Sequence, residues 1–112
     1  MQNSQVRKFE SEEGFFKTAV ERQDFFMVYD GAVWRLCQYI ALEAAIYSSG
    51  SGSTPDLLLL DLGRGRSVEI HGRSLFRVLH AFQGRLLVSL EPGETAGMAI
   101  IGIEAVEKTR EP

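Results

Sequence analysis

The sequence predicts an α+β domain: a mainly antiparallel sheet of about six or seven strands with two short helices packed against it. Three observations predict it. Apolar runs of strand length recur along the chain, with Leu57–Leu62 and Met98–Val106 the clearest. Turn residues separate them, at Asp30-Gly31, Gly63-Arg64-Gly65 and Glu91-Pro92-Gly93. Two segments, 11–23 and 74–84, instead space their apolar residues as helices do. At 112 residues, 45% hydrophobic and 24% charged, the chain is long enough for one core that buries roughly 65% of its unfolded surface without staples. The expected organisation is a flexible N-terminal segment at 1–10, one domain at 11–107 with a mobile Gly/Ser loop at 48–55, and a charged tail at 108–112.

The first predicted helix, 11–23, takes Ser11 as its N-cap, places Glu12 and Glu13 at the positive end of the dipole, and gathers Phe15, Phe16, Ala19 and Val20 on one face. Asp30-Gly31, between two aromatic and β-branched runs, predicts a hairpin with a two-residue type I′ turn and strands at 25–29 and 32–36. The alternation Ile40, Leu42, Ala44, Ile46 extends this to a strand at about 39–47, against a competing helical content of Ala, Leu and Glu. Ser48–Pro55 is a hairpin loop. Leu57–Leu62 is apolar on both faces except at Asp61, as an interior strand would be. After a glycine turn, Ser67–His71 alternates, with Val68 and Ile70 inward and Glu69 and His71 outward. Ser74 caps the second helix and Gly84 ends it, with Leu75, Phe76, Leu79 and Phe82 facing the core. Strands at 86–90 and 98–106 complete the sheet. The expected core is Phe25, Val28, Trp34, Leu36, Ile40, Leu58, Leu60, Leu62, Val68, Ile70, Leu75, Leu79, Phe82, Leu87 and Ile101.

Charge is uneven. Arg64, Arg66, Arg73, Arg77 and Arg85 face one acid, Glu69, within 64–85, a local balance of +4 in a chain whose remainder carries −7. Gly72-Arg73-Ser74 at a helix start supplies free N–H groups, a dipole and a guanidinium, the recipe for holding a phosphate or carboxylate. Arg73, Arg77 and His80 share one helical face, flanked by Arg66 and Arg85. Such a face suits a nucleic-acid backbone or another anionic ligand, or else a solvated surface whose arginines pair with the chain's acids. Gly63-Arg64-Gly65 enters a strand instead of opening a helix, so it serves a turn and no nucleotide.

No acid, base, nucleophile or metal set stands at a recognised spacing. The two histidines lack a Cys, Asp or Glu at metal-ligand spacing, Ser74 and Ser89 lack the nucleophile-elbow setting, and Cys37 is expected to pack as a small hydrophobe. Buried Asp61 calls for a partner such as an arginine. Neither cofactor nor metal is expected, and the start of the chain lacks a secretory signal, so a cytoplasmic location away from membranes is the expectation. The function these features support is a small non-enzymatic binding or protein-interaction module, with homodimerisation through the N-terminal helix or a sheet edge. The alternatives are nucleic-acid or anionic-ligand binding through Arg66, Gly72, Arg73, Ser74, Arg77, His80 and Arg85, and an enzyme whose site is assembled from distant positions.

Over about residues 25–90, the order Ile40-Ala41-Leu42-Glu43-Ala44, a glycine turn, and Val68-Glu69-Ile70-His71-Gly72-Arg73-Ser74-Leu75 resembles the apolar pattern of the LytTR family of response-regulator DNA-binding domains. In that family a basic Arg-x-His-Arg-Ser run follows the helix. Here Gly84-Arg85-Leu86-Leu87-Val88-Ser89-Leu90 stands in its place, so the resemblance carries no DNA contact onto this chain.

Overall fold

The computed structural model describes residues 9–95 and 97–107; most of the predicted N-terminal segment and the whole charged tail lie outside them. Among the described residues the chain forms β1 (Phe9–Glu13), β2 (Phe16–Ala19), β3 (Phe25–Tyr29), β4 (Trp34–Gln38), a 3-10 turn (Tyr39–Ala41), β5 (Ala44–Ser48), β6 (Asp56–Gly63) and β7 (Arg66–Arg73). One α-helix, α1 (Phe76–Gln83), then precedes β8 (Leu87–Leu90), β9 (Gly93–Thr95) and β10 (Met98–Glu107). The strands make two five-stranded sheets, ordered β1-β2-β8-β3-β4 and β5-β6-β7-β10-β9. Every pairing is antiparallel except that of β3 with β8. This overturns the predicted α+β sheet with two helices: the protein is mostly β.

The segment predicted as the first helix is the hairpin β1–β2, turning at Gly14-Phe15. Phe16 and Ala19 are buried on either side of exposed Lys17 and half-buried Thr18, and β2 lies against β8, so tertiary pairing overrides a weak helical signal. The second predicted helix is real but begins at Phe76. Ser74 is no cap; it has φ +59°, and Leu75 occupies the N-cap position. The buried stripe is also rotated, to Val78, Ala81 and Phe82, leaving Phe76 exposed. At its C-terminus Arg85 N–H donates to Phe82 O and Leu86 N–H to Ala81 O, with Arg85 left-handed at φ +58°.

The inner faces of both sheets and one face of α1 share a single core. From the first sheet come Phe16, Phe26, Val28, Leu87 and Leu90; from the second come Leu58, Leu60, Val68, Ile70, Ile100 and Ile103. Phe26, Tyr39 and Phe82 pack ring to ring, with centroids 4.9 Å apart for Phe26–Tyr39 and 5.0 Å for Phe26–Phe82. The Tyr39 hydroxyl donates to Leu87 O at 2.9 Å, and burial pushes its phenol above the ordinary value. Gly72 is buried where β10 passes close by, and a Cβ there would run into the carbonyl of Ala99.

The core expected from sequence is therefore correct for Val28, Leu58, Leu60, Val68, Ile70, Leu75, Phe82 and Leu87. Leu62 and Leu79 are half-buried and pack against it. Phe25, Trp34, Leu36, Ile40 and Ile101 instead face solvent. Ile101 does so because a bulge between Ile100 and Gly102 shifts the alternation of β10 by one residue. Residues 39–47, predicted as one strand, split into the 3-10 turn and β5.

Candidate functional site

The β3–β4 hairpin has the predicted turn residues but a longer loop. Residues 30–33 connect Tyr29 to its partner Trp34, and β4 starts at 34. Asp30 Oδ1 accepts from Ala32 N–H at 2.9 Å and Val33 N–H at 3.0 Å, while Oδ2 accepts from Arg35 Nε at 3.1 Å. Those N–H groups, with Val33 the strongest and Arg35 adding less, hold the Asp30 carboxyl below the usual range. Gly31, at φ +99°, completes the turn.

Within this hairpin Phe26 and Val28 point into the core, so Phe25, Met27 and Tyr29 point out. Their cross-strand partners are Gln38, Leu36 and Trp34. The outer face is consequently an apolar ladder: Phe25 is 44% exposed, Met27 37%, Trp34 46% and Leu36 65%. Tyr29 and Trp34 stack with centroids 5.1 Å apart. Ile40, 87% exposed, follows directly after β4. On one side the ladder is bounded by Ser89 and Lys17, which continue the row from Met27. On the other, β4 is the last strand of its sheet, with β3 its only strand partner among the described residues.

An open cleft of ≈ 290 Å³ lies beside this edge, lined by Leu36, Cys37, Ala41, Leu62 and Arg66 among others. Burial pushes the Cys37 thiol up, against an opposing pull from Arg66 and Arg35. That direction keeps the thiol protonated at neutral pH and withholds the thiolate a nucleophile needs.

The sequence-predicted basic residues do not all stand together. Arg66 and Arg73 stand at opposite ends of β7, roughly 23 Å apart by the rise of an extended strand. Arg73 lies 3.7 Å from Glu94, and Arg77 sits over the Phe16 ring at 5.8 Å. His80 meets the Phe76 ring edge-on. Arg85 donates twice to Gln23 O, at 3.1 and 3.0 Å, contacts Asp24 Oδ1 at 3.2 Å and lies over Tyr39 at 5.3 Å. At the anion-ready turn of Gly72, Arg73 and Ser74, the protein supplies its own anion. Asp56 Oδ2 accepts from Leu75 N–H at 3.2 Å and from the Tyr47 hydroxyl at 2.9 Å, and Oδ1 accepts from Gly50 N–H at 2.8 Å. Burial alone would raise the Asp56 carboxyl, but these donors and Ser74 N–H outweigh it and hold it below its ordinary value. Asp61, expected to need an arginine, instead accepts from Gly63 N–H at 2.9 Å and fastens the β6–β7 turn.

One constellation escapes the sequence. Glu69, His71 and Glu104 bring their ligand atoms within 4.8 Å of one another on the outer face of the second sheet, correcting the reading that no acid stands at ligand spacing from a histidine. The visible signal is Glu69-Ile70-His71, since residues two apart share a face of a strand. Glu104 is beyond sequence reach because it depends on the β7–β10 register, in which it stands opposite Glu69. Among the described residues no helix is long and apolar enough to cross a membrane. No protein-family model matches the chain, and neither a curated protein nor a solved structure matches it.

Proposed function

We propose that this chain is a protein-interaction module that self-associates through the outer face of its β3–β4 hairpin. The observation that carries this reading is the cross-strand ladder of Phe25, Met27, Tyr29, Trp34 and Leu36 on the free-edge side of the first sheet. Phe25, Met27, Trp34 and Leu36 leave on the order of 400 Å² in water, the size of the largest apolar patch on a typical monomer, which is often a functional surface. No charged side chain interrupts these five positions, so a second copy laid face to face at sheet-packing distance strands no ion. The same patch on both partners makes the contact isologous and closes it at a dimer. Its area is about half of the ~800 Å² per partner in a standard interface, which supports a weak, concentration-dependent dimer.

Trp34 is the only tryptophan of the chain, so its fluorescence reports directly on this face. From micromolar to millimolar protein, the sedimentation coefficient rises, and Trp34 emission shifts to the blue and loses accessibility to iodide. Leu36→Glu stays monomeric with emission independent of concentration. A wild-type chain that remains monomeric at millimolar concentration overturns the reading, as does a Leu36→Glu chain that still dimerises.

A further inference from the structure

We propose that Glu69, His71 and Glu104 form a binding site for a divalent transition-metal ion of the zinc class, bridging β7 to β10. The ligand set is one imidazole and two carboxylates, suited to a borderline ion such as zinc. Tetrahedral coordination at zinc bond lengths sets ligand atoms about 3.4 Å apart. His71 Nε2 and Glu69 Oε1 already stand 3.4 Å apart, and the whole set lies within 4.8 Å, a gap that side-chain rotation closes. The backbone fixes this convergence: Glu69 and His71 are two apart on β7, and Glu104 is the direct cross-strand partner of Glu69.

The neighbours favour a cation. Two glutamates directly opposite each other in a sheet repel, and this pair has Leu59 as its other row neighbour, with Leu57 beside His71. The next cation along that face of β7, Arg73, lies against Glu94. Opposite His71 stands Gly102, where a Cβ would meet nothing within 4 Å, so the backbone leaves room above the cluster. An open depression of ≈ 520 Å³, reaching from His71, Gly102 and Glu104 to Asp30 and Gly31, adjoins it. Three protein ligands and that opening leave a fourth position for water or an exogenous ligand.

The test is calorimetric titration of the tag-free full chain with zinc chloride, repeated with cobalt(II) to read its visible absorption. Wild type binds one equivalent, shows tetrahedral cobalt bands and melts at a higher temperature with zinc. His71→Lys retains a cation between the two carboxylates but loses the bands and at least tenfold in affinity. Glu104→Gln also loses at least tenfold, and Cys37→Ser binds as wild type. Absence of zinc uptake at millimolar metal overturns the site. So do undiminished binding by His71→Lys and loss of binding in Cys37→Ser.

Discussion

Phe25, Met27, Tyr29, Trp34 and Leu36 cover the outer face of the first sheet at its β4 edge, whereas Ser67, Glu69, His71 and Glu104 occupy the outer face of the second over β7 and β10. Both faces lie opposite the same core, so burial on folding cannot account for their difference. An antiparallel sheet with one solvated side ordinarily alternates apolar-in with polar-out, and β7 obeys that rule. The β3–β4 hairpin breaks it. Its departure costs nothing in the packing of the core, yet it leaves apolar area in water, the kind of area whose burial is favourable. The second sheet departs more subtly: β7 is polar outside, but Glu69 stands directly opposite Glu104 with His71 alongside, next to the apolar row of Leu57 and Leu59 on β6.

The largest effect that sharpens this contrast comes from neighbouring phenylalanines. Phe26→Ala removes a ring from the Phe26–Tyr39–Phe82 cluster and should cost about 3–5 kcal/mol. Phe25→Ala, one residue earlier on the opposite face, should cost under about 1 kcal/mol. Urea denaturation of dilute protein measures both. Equal costs would mean that the outer face is part of the fold's own packing and would break the contrast.

The same pair explains where the sequence was legible. In β7 the alternation Val68, Ile70 against Glu69, His71 declares which side is inside, and the structure agrees. In Phe25-Phe26-Met27-Val28-Tyr29 every residue is apolar or aromatic, so period two is present but its parity is not, and Phe25 is misplaced by that missing sign; in Trp34-Arg35-Leu36 the sign is present but misleading, because Arg35 and not its apolar neighbours shares the side of Val28 at the sheet edge. Ile101 failed for another reason, because a bulge changes parity in mid-strand and leaves no mark in the run Met98-Ala99-Ile100-Ile101. The turn glycines Gly63 and Gly65, at φ +81° and +77°, were readable because their requirement is local. Division into two sheets was not, since it depends on β8 pairing with β3 across sixty residues of chain. For the candidate sites, donor N–H groups at the Gly72–Ser74 turn are what the sequence leads one to expect, while the carboxylate that Leu75 N–H meets there, Asp56, sits one hairpin upstream and needs the fold to reach it.

Asp56 provides the next test. Its carboxylate ties the 49–55 loop, Tyr47 and the start of α1 together, a charge-assisted joint that the first sheet's apolar outer face lacks. Asp56→Ala should cost about 2 kcal/mol through orphaned donors. Because its folded pKa is depressed, the stability it contributes is present above the ordinary carboxylate value of 3.8 and is lost as pH falls through the lower folded value. Asp56→Asn should flatten that acid limb of the stability profile. Under acid, hydrogen exchange at the β5–β6 loop and the start of α1 should rise in wild type and stay level in Asp56→Asn, while the β3–β4 turn, held by Asp30, responds alike in both chains; an undiminished acid response of that loop in Asp56→Asn would sink the proposed joint.

The smallest effect runs the other way. If the outer face of β7 and β10 is set for a cation, then without metal it carries a repulsion between Glu69 and Glu104. Glu104→Gln, measured with chelator present, should stabilise the chain by a few tenths of a kcal/mol, since like charges directly opposite in a sheet destabilise by about that much. With zinc in excess the order reverses, because wild type gains by mass action what the variant cannot bind. Thermal denaturation of both chains with chelator and with zinc measures this exchange. A Glu104→Gln chain that is less stable than wild type under chelator would make Glu104 a structural partner of His71, and the two outer faces would then differ in polarity alone.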